Sequence, residues 1–314
     1  MALPRVLIID EMHPSIFPML ENIGLEADYR PDIKPAEVRE ALQGFEGLVV
    51  RSKMRITAET LELAQSLNYV ARAGAGVDNI DVQALQERGI ALVSANEGNR
   101  QAVGEFALGA LLALMRNMNR SDRQVREKVW LREENRGEEI SGKTVGIIGF
   151  GNMGQSFARV LAGFNCRLLA YDRYAPDKVK EPVLHVPLET IQAEADIVSL
   201  HIPYLPENLH LANDAFFSGF QKPVWFVNTS RGDVVDQAAL VKHLRAGTLK
   251  GAALDVLENE KLQTLTAQQQ ENFSYLATSD QVILTPHIAG WTHESYLKIN
   301  EVLVAKIAQL RQVP

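Results

Sequence analysis

Residues 144–164, TVGIIGFGNMGQSFARVLAGF, decide the class of fold to which this chain belongs. An apolar run typical of a buried strand leads into Gly149, Gly151 and Gly154, and a helical pattern follows. In this order the first glycine permits a tight turn, the second lets the backbone approach a diphosphate, and the third permits close packing of helix on strand. The N–H groups and positive dipole at the start of such a helix favour an anion. The stretch predicts a dinucleotide-binding βα unit; the alternative is an ordinary βα turn with nothing bound.

An acidic residue at the end of the next strand-like run, CRLLAYD, indicates which dinucleotide is bound. Asp172 follows Gly151 by 172 − 151 = 21 residues, and a ribose-binding acid is expected about 20 residues after the glycines. Its carboxylate accepts hydrogen bonds from both ribose hydroxyls and repels a 2′-phosphate, so the predicted cofactor is NAD. The adjacent Arg173 weakens the preference over NADP, because a guanidinium contacts a phosphate if the aspartate turns away.

Strand-like runs alternate with helical patterns along the chain, which is typical of parallel sheets covered by helices. A first series comprises RVLIID, GLVV, NYVARAG and GIALVSA, and a second series of six runs extends from TVGIIG to VILTPHI. Within the first series, between GLVV and NYVARAG, the stretch TAETLELAQSL (57–67) has a helix-start threonine and an acidic first turn. The predicted class is α/β with two doubly wound parallel-sheet domains. A Rossmann NAD-binding domain (99–289) is inserted into a flavodoxin-like substrate-binding, catalytic domain (1–98 and 290–314).

An apolar helix and a charged arm separate the two series. We interpret the helix, Gly104–Met118, as the crossing between the domains, and the helix and arm together as a dimerisation segment of about residues 104–140. The few apolar anchors of the arm are Val125, Val129, Trp130 and Leu131. We therefore expect the arm to pack against a partner subunit or, alternatively, elsewhere in its own chain. A last helix, roughly His293–Leu310, is too small for a domain and is expected to return to the first one.

Composition and charge exclude several classes of function. The net charge is 32 − 39 = −7, so binding of nucleic acid through its phosphates is not expected. The single cysteine, Cys166, allows neither an intrachain disulfide nor a thiolate metal cluster. The longest apolar stretch, Phe106–Met115, is too short to span a membrane, and the N-terminal apolar run is too short for a signal peptide. We expect a cytoplasmic protein without nucleic-acid or membrane partners.

Three further stretches place charged residues just after strand-like runs of the second series, where doubly wound sheets bind ligands. They are NTSRGDVVD with Arg231, GAALDVLENE with Asp255 and Glu260, and TPHIAG with His287. Reduction of a 2-keto acid by hydride needs a cation for the carboxylate, a proton donor for the carbonyl oxygen and a carboxylate partner for that donor. Arginine, histidine and glutamate meet these needs. Each residue alone has an ordinary alternative as a surface charge, a solvated acid or a turn histidine.

This last stretch contains His287 and is followed closely by His293, and the two histidines are assigned different roles. His293 lies six residues after His287 at the start of the last helix, where we expect a helix-start or domain-joint residue. A zinc site at this pair lacks further ligands nearby, so no metal is predicted.

Six motifs together resemble the D-isomer-specific 2-hydroxyacid dehydrogenase family over nearly the whole chain. They are RAGAGVDNID (72–81), VGIIGFGNMG (145–154), HIP (201–203), NTSRGDVVD (228–236), GAALDVLENE (251–260) and TPHIAG (285–290). The resemblance implies hydride transfer between NAD and a D-2-hydroxy acid, with Arg231, Glu260 and His287 as the catalytic triad. It implies cofactor contacts at Gly149, Gly151, Asn152, Met153, Gly154, Asp172, Arg173, His201, Pro203, Thr229, Ser230, Asp255, Ala289 and Gly290, with Asp255 beside the nicotinamide.

Within the family, the resemblance is closest to the D-3-phosphoglycerate dehydrogenases, which open serine biosynthesis by oxidising 3-phosphoglycerate to 3-phosphohydroxypyruvate. The stretch VVRSKMRIT resembles their VRS segment. The implied substrate residues are Arg51, Ser52, Arg72, Gly74, Ala75, Gly76, Val77 and Arg132. Several arginines suit a substrate with a phosphate and a carboxylate, because guanidinium pairs bidentately with both. A structural role is the alternative for Arg51 and Arg72, and the stronger interpretation for Arg132.

The sequence departs from the family pattern in three places. Asn208 stands where relatives often have a threonine that contacts the cofactor, and the loop 259–280 replaces a short proline-rich segment. The chain also stops without the C-terminal regulatory domains of some phosphoglycerate dehydrogenases, so serine feedback is not expected. The expected assembly is a homodimer. Alternatives to phosphoglycerate oxidation are reduction of hydroxypyruvate, glyoxylate or another 2-keto acid, and a non-catalytic protein that senses NAD(H).

Overall fold

The computed structural model describes residues 3–312, which form twelve strands and eleven α-helices. The strands are β1 (Arg5–Ile8), β2 (Glu26–Tyr29), β3 (Gly47–Val50), β4 (Tyr69–Arg72), β5 (Ala91–Ser94), β6 (Thr144–Ile148), β7 (Arg167–Tyr171), β8 (Val183–His185), β9 (Ile197–Leu200), β10 (Val224–Asn228), β11 (Leu249–Leu254) and β12 (Val282–Leu284). The helices are α1 (Ile16–Asn22), α2 (Val38–Ala41), α3 (Val82–Glu87), α4 (Arg100–Met115), α5 (Met118–Arg126), α6 (Asn152–Val160), α7 (Leu188–Glu194), α8 (Asp214–Ser218), α9 (Gln237–Ala246), α10 (Ala267–Thr278) and α11 (His293–Leu310).

These elements form two compact units, each around one parallel sheet. The first unit comprises residues 1–100 and 291–314, and the second comprises residues 101–290. The first sheet has the order β2-β1-β3-β4-β5 and the second the order β12-β11-β10-β9-β6-β7-β8. The first order is that of flavodoxin-like sheets, and the second contains the Rossmann order with one further strand. The predicted α/β class with a Rossmann and a flavodoxin-like sheet is confirmed.

Apolar burial explains why both sheets are covered by helices. In the first unit, Ile299, Leu303 and Ile307 of α11 are buried together with residues of α1, β1 and β4.

In the sheet of the second unit, β6 lies between β7 and β9, so the direction of winding changes beside this strand. Ligands bind at such a point, outside the carboxyl ends of the strands.

The structure contains two strands that the sequence patterns did not predict, which raises the first series from four to five and the second from six to seven. Both missed strands, β2 and β8, lie at the edge of their sheet. In β2 no residue is fully buried, and in β8 only Val183 is. An edge strand has a single strand neighbour and need not be apolar, so it lacks the pattern that reveals central strands.

Two predicted helices were wrong in extent or type. Residues 57–67 form consecutive tight turns, in which the N–H of Ala64 bonds to the carbonyl of Leu61 and that of Leu67 to Ala64. The buried residues of this stretch fit the α-helical period as well, but these hydrogen bonds span three positions, as in 3₁₀ turns. The predicted helix Gly104–Met118 is interrupted, because Asn117 adopts a left-handed backbone with φ 54° that a right-handed helix cannot include.

The arm that follows α4 is held to the second unit at its far end. The carboxylate of Glu138 accepts hydrogen bonds from the ammonium groups of Lys143 and Lys250, both at 2.8 Å. Partial burial opposes ionisation of this carboxyl group, but the two lysines outweigh it and lower its pKa to about 2. Because Lys250 belongs to β11, the ion pairs fix the end of the arm against the sheet.

Within residues 3–312, no helix combines the length and apolar character needed to cross a membrane.

We expect the Glu138→Gln variant to unfold more easily than the parent protein near neutral pH. The folded-state pKa lies below the ordinary value of 4.5 for a glutamate, so the stabilisation is complete above that pH and is lost as the pH falls towards about 2. Denaturant unfolding measured across this range should show the two proteins converging. An equal difference at neutral and at low pH would contradict the assignment. Replacing the exposed neighbour Glu139 by glutamine is the matched control.

Candidate active site

Two of the three glycines after β6 are required by the packing of the protein itself. Gly149 has φ 89°, and a Cβ placed on it would lie 2.5 Å from the carbonyl oxygen of His201. A Cβ on Gly154 would lie 2.1 Å from the carbonyl oxygen of Gly149. Both distances are far below van der Waals contact, so a larger residue at either position would displace the turn.

Gly151 differs, because no atom of residues 3–312 occupies the space beside it. A Cβ there would meet no atom within 4 Å, and its φ of −73° is open to other residues. Gly151 is the N-cap of α6 and contributes no side chain to the free N–H groups of the first turn. These residues fit the diphosphate of a dinucleotide, with Gly151, Asn152 and Met153 around the start of the helix.

The carboxylate of Asp172 is already used within the βα unit. Its Oδ2 accepts from the backbone N–H of Phe150 at 2.7 Å, and its Oδ1 accepts from those of Tyr174 and Ala175 at 2.9 and 2.7 Å. Partial burial raises the pKa of this group, but the three amides outweigh it, so the pKa is lowered and the carboxylate stays charged. About four acceptor positions exist on a carboxylate, so binding both ribose hydroxyls requires at least one amide bond to yield. Arg173 is exposed, with its guanidinium 5.8 Å from the Tyr174 ring.

Hydrogen bonds with buried side chains hold the HIP segment that follows β9. His201 is 8 % exposed, its Nε2 lies 2.9 Å from the Ser199 hydroxyl, and burial lowers its pKa to about 3. The imidazole is therefore neutral at physiological pH. Asn208, buried, donates a hydrogen bond from its amide to the carbonyl of Pro203 at 2.9 Å. The asparagine thus shapes the loop in which relatives often place a hydroxyl.

Arg231 lies in a turn that Asn228, at the end of β10, holds in place. The Asn228 oxygen accepts from the backbone and hydroxyl of Ser230 at 3.0 and 2.7 Å, and its amide donates to the carbonyl of Arg231 at 3.0 Å. The hydroxyl of Thr229 is buried and has no hydrogen-bond partner within residues 3–312. A Cβ on Gly232 would lie 1.8 Å from the carbonyl oxygen of Leu257, so this turn contacts the segment after β11 closely.

Asp255 binds the loop that follows β12 through both its side chain and its backbone. Its Oδ1 accepts from the Thr285 hydroxyl at 2.6 Å and the Ile288 N–H at 2.9 Å, and its Oδ2 accepts from the Ala289 N–H at 2.8 Å. Its backbone carbonyl also accepts from the His287 N–H at 2.8 Å. The residue is 2 % exposed. Sequence reasoning assigned this carboxylate to the nicotinamide amide, a contact that stays a prediction, and did not foresee that it holds the loop.

His287 and Glu260 form a pair across this loop. The Nδ1 atom of His287 lies 3.0 and 3.2 Å from the two oxygens of Glu260. His287 has φ 56°, a conformation that few residues with a side chain adopt. With Nδ1 facing the carboxylate, Nε2 is the imidazole nitrogen left for exchange of a proton with a substrate.

The segment 259–280, described above as a loop, forms a helix and one wall of a cavity. Thr266 and Gln269 form a capping box at the start of α10, a sequence signal that was available. The cavity beside the pair encloses about 350 Å³. Its lining includes Leu262 and Phe273 of this segment, together with Leu284, Glu260 and His287.

The predicted substrate residues of the first unit follow its strands. The carboxylate of Asp10, which was not predicted, accepts from the backbone N–H groups of Arg51 at 2.7 Å, Ser52 at 3.4 Å and Lys53 at 3.1 Å. An acid at the end of the apolar run RVLIID, two residues after β1, was a signal that the sequence contained. The Arg72 guanidinium packs over Gly74, whose φ is 145°; a Cβ there would overlap the guanidinium.

The predicted residues are divided between the two units. The first unit contains Arg51, Ser52, Arg72, Gly74, Ala75, Gly76 and Val77. The second unit contains Arg132 and all the predicted cofactor and catalytic residues. Hydrogen bonds join Asp255 to the His287 loop and His287 to Glu260. Arg132 is exposed in the arm, beside Val129 and Trp130.

Comparison with known proteins identifies the family that the sequence motifs resemble. The family model for the D-isomer specific 2-hydroxyacid dehydrogenase, NAD binding domain, matches residues 108–289. A hydroxypyruvate reductase of Thermotoga maritima is 34 % identical over 98 % of both chains. A D-3-phosphoglycerate dehydrogenase of Archaeoglobus fulgidus is 33 % identical over 98 % of this chain and 57 % of its own length. The chain thus spans little more than half the length of such phosphoglycerate dehydrogenases.

A solved structure shows the same architecture. The D-lactate dehydrogenase of Aquifex aeolicus, complexed with NAD and lactic acid, superposes with a TM-score of 0.83. It is 26 % identical, and the match covers 98 % of this chain and 96 % of that one. With the family model covering more than half of its residues, the chain belongs to the D-isomer specific 2-hydroxyacid dehydrogenase family.

Proposed function

We propose that the protein transfers a hydride between NAD and C2 of a D-2-hydroxy acid. The observation that carries this proposal is the pair of His287 and Glu260, with Nδ1 of the imidazole 3.0 Å from a carboxylate oxygen. A histidine oriented in this way exchanges a proton through its other nitrogen, which an alcohol-to-ketone conversion requires. The open space at Gly151 supports a dinucleotide as the second reactant.

The chain's own residues perform the binding and proton transfer. Bound NAD supplies the nicotinamide that takes up or releases the hydride. In oxidation, Nε2 of His287 accepts the proton of the substrate hydroxyl. Glu260 stabilises the positive imidazolium that forms, and it keeps Nε2 directed at the substrate. Arg231 pairs with the substrate carboxylate, and Asp255 holds the loop on which His287 lies.

We propose 3-phosphoglycerate as the first choice of substrate, oxidised to 3-phosphohydroxypyruvate. Arg51 and Arg72 support a substrate with two anionic groups, because guanidinium binds phosphate and carboxylate alike. Reduction of hydroxypyruvate or glyoxylate is the second candidate, favoured by the Thermotoga maritima relative, which matches this chain over nearly its full length.

NADH formation from 3-phosphoglycerate, D-glycerate, D-lactate and glycolate, and NADH consumption with hydroxypyruvate and glyoxylate, test the proposal. We expect the highest kcat/KM with 3-phosphoglycerate. A higher value with hydroxypyruvate would select the second candidate. NADH binding without turnover of any compound would contradict catalysis and favour a protein that senses NAD(H).

Replacing His287 by alanine in the same assay should lower kcat by a factor on the order of 10²–10⁴, the contribution of one general acid or base. His293→Ala, at the exposed start of α11, is the matched control and should retain turnover. Loss of turnover in both variants, or in neither, would contradict the role given to His287.

The glycines provide a paired test of the cofactor site. Gly151→Ala should change the free energy of unfolding by less than about 1 kcal/mol but weaken NAD binding, because its Cβ enters space that only a ligand fills. Gly154→Ala should lower the free energy of unfolding by about 1–3 kcal/mol through overpacking against Gly149. Calorimetric titration with NAD and denaturant unfolding measure the two effects. Unchanged NAD affinity in Gly151→Ala would contradict the placement of the diphosphate.

We further propose that the arm forms the interface of a homodimer. Its apolar side chains are exposed, with Met118 at 52 %, Val125 at 50 % and Trp130 at 80 %. Such a cluster on a surface is typical of a protein interface, because contact removes apolar area from water.

Analytical ultracentrifugation checks this assembly. We expect two chains per particle for the wild-type protein and one for Trp130→Glu, because a charge in the apolar contact would remain unpaired when buried. Leu310→Glu, at an exposed leucine of α11, is the control and should leave the dimer intact. A dimeric Trp130→Glu variant would exclude the arm as the interface.

A further inference from the structure

The guanidinium of Arg51 lies against two aromatic rings that sequence reasoning did not single out. Its central carbon is 3.9 Å from the centre of the Trp291 indole and 5.1 Å from the centre of the Tyr296 ring. Both distances are within the range of cation–π attraction. All three residues belong to the first unit.

The start of α11 determines where the two rings lie. Thr292 is the N-cap of the helix and forms a capping box with Ser295. Trp291 and Tyr296 therefore occupy the positions before the cap and in the second turn, which form a hydrophobic staple in many helices. In a staple the two side chains contact each other and set the entry of the chain into the helix. Here both of them contact Arg51.

The backbone of Arg51 is held independently of its side chain. The Asp10 carboxylate accepts from the backbone N–H groups of Arg51 and Lys53 at 2.7 and 3.1 Å. Because this carboxylate is engaged with amides, the rings remain the contacts that restrict the guanidinium. An arginine side chain has many rotamers, and their restriction before binding lowers the entropic cost of holding a ligand.

Because the two contacts of the Arg51 guanidinium are aromatic rings, its N–H groups stay available to an anionic ligand. An aromatic face attracts a cation without accepting its N–H groups, whereas a carboxylate would compete with an anionic ligand. Within residues 3–312, the Arg51 guanidinium makes no hydrogen bond or ion pair. Its donor edge is thus available for an anion, while its face is covered.

We propose that Trp291 and Tyr296 are positioning residues that hold the Arg51 guanidinium by its face, so that its N–H edge binds the phosphate of the substrate. The inference rests on the proposed function, in which Arg51 belongs to the substrate site. It adds that the affinity for the phosphate depends on residues that do not touch the substrate. The rings would act on substrate binding and leave the chemical step unchanged.

A titration with inorganic phosphate tests the proposal without turnover. The Nε–H signal of Arg51 is identified by nuclear magnetic resonance as the one missing from Arg51→Lys, and its shift is followed as phosphate is added to the full chain. In Trp291→Leu we expect the dissociation constant for phosphate to rise about tenfold, the size of a partly desolvated cation–π contact. Trp291→Phe keeps an aromatic face, and its constant should stay within about threefold of the wild-type value.

Kinetics provide the second measurement. Trp291→Leu and Tyr296→Leu should raise KM for 3-phosphoglycerate and leave kcat and the KM for D-glycerate, which lacks the phosphate, near wild-type values. Tyr296→Phe should behave as wild type, because it retains the ring. A fall in kcat with unchanged KM would indicate a general structural role and overturn the proposal.

The two measurements separate this inference from the proposed function. An Arg51 signal that does not respond to phosphate, or equal phosphate constants in wild type and Trp291→Leu, overturns the inference even if D-2-hydroxy acids are oxidised. Weaker phosphate binding in Trp291→Leu with no turnover of any substrate supports the inference and overturns the function. The melting temperature of each variant shows whether it is folded.

Discussion

One buried carboxylate, that of Asp255, connects the end of β11 with the loop after β12. It accepts three hydrogen bonds from that loop, and its own carbonyl receives the N–H of His287. A carboxylate removed from water is stable when such donors compensate its desolvation. The bonds hold His287 in its left-handed backbone conformation, and from there its imidazole meets Glu260. The position of the His287–Glu260 pair therefore depends on the hydrogen bonds of Asp255.

The glycine turn after β6 is shaped both by contacts within the protein and by space left open for a ligand. Gly149 and Gly154 are required by contacts within the protein, whereas no atom of the described residues fills the space beside Gly151. Two of the glycines are therefore needed for the fold itself, and the third is needed only if a ligand binds beside it. Asp172 shows the reverse case, since amides of its own βα unit already occupy most of its acceptor capacity. For Asp172 to bind both ribose hydroxyls, as the family resemblance implies, one of these amide bonds must yield.

The sequence predicted those features that rest on local patterns. Central strands such as β6 are continuous apolar runs, and α11 forms over the predicted residues. The edge strands β2 and β8 lack such a pattern, and α10 was missed although its capping box stands in the sequence. Motifs indicated which residues to propose for the site, but not the hydrogen bonds that those residues make. The contact of Asp255 with Ala289 joins positions 34 residues apart, and only the tertiary fold brings them together.

The central claim is direct transfer of hydrogen from C2 of a D-2-hydroxy acid to NAD. It is tested most directly by mass spectrometry of the reduced cofactor after turnover of 3-phosphoglycerate, or another D-2-hydroxy acid that is oxidised, carrying deuterium at C2. If the hydride passes directly from C2 to the nicotinamide, each molecule of NADH formed contains the deuterium. Reduced cofactor without the label, with the deuterium released to solvent, would contradict it.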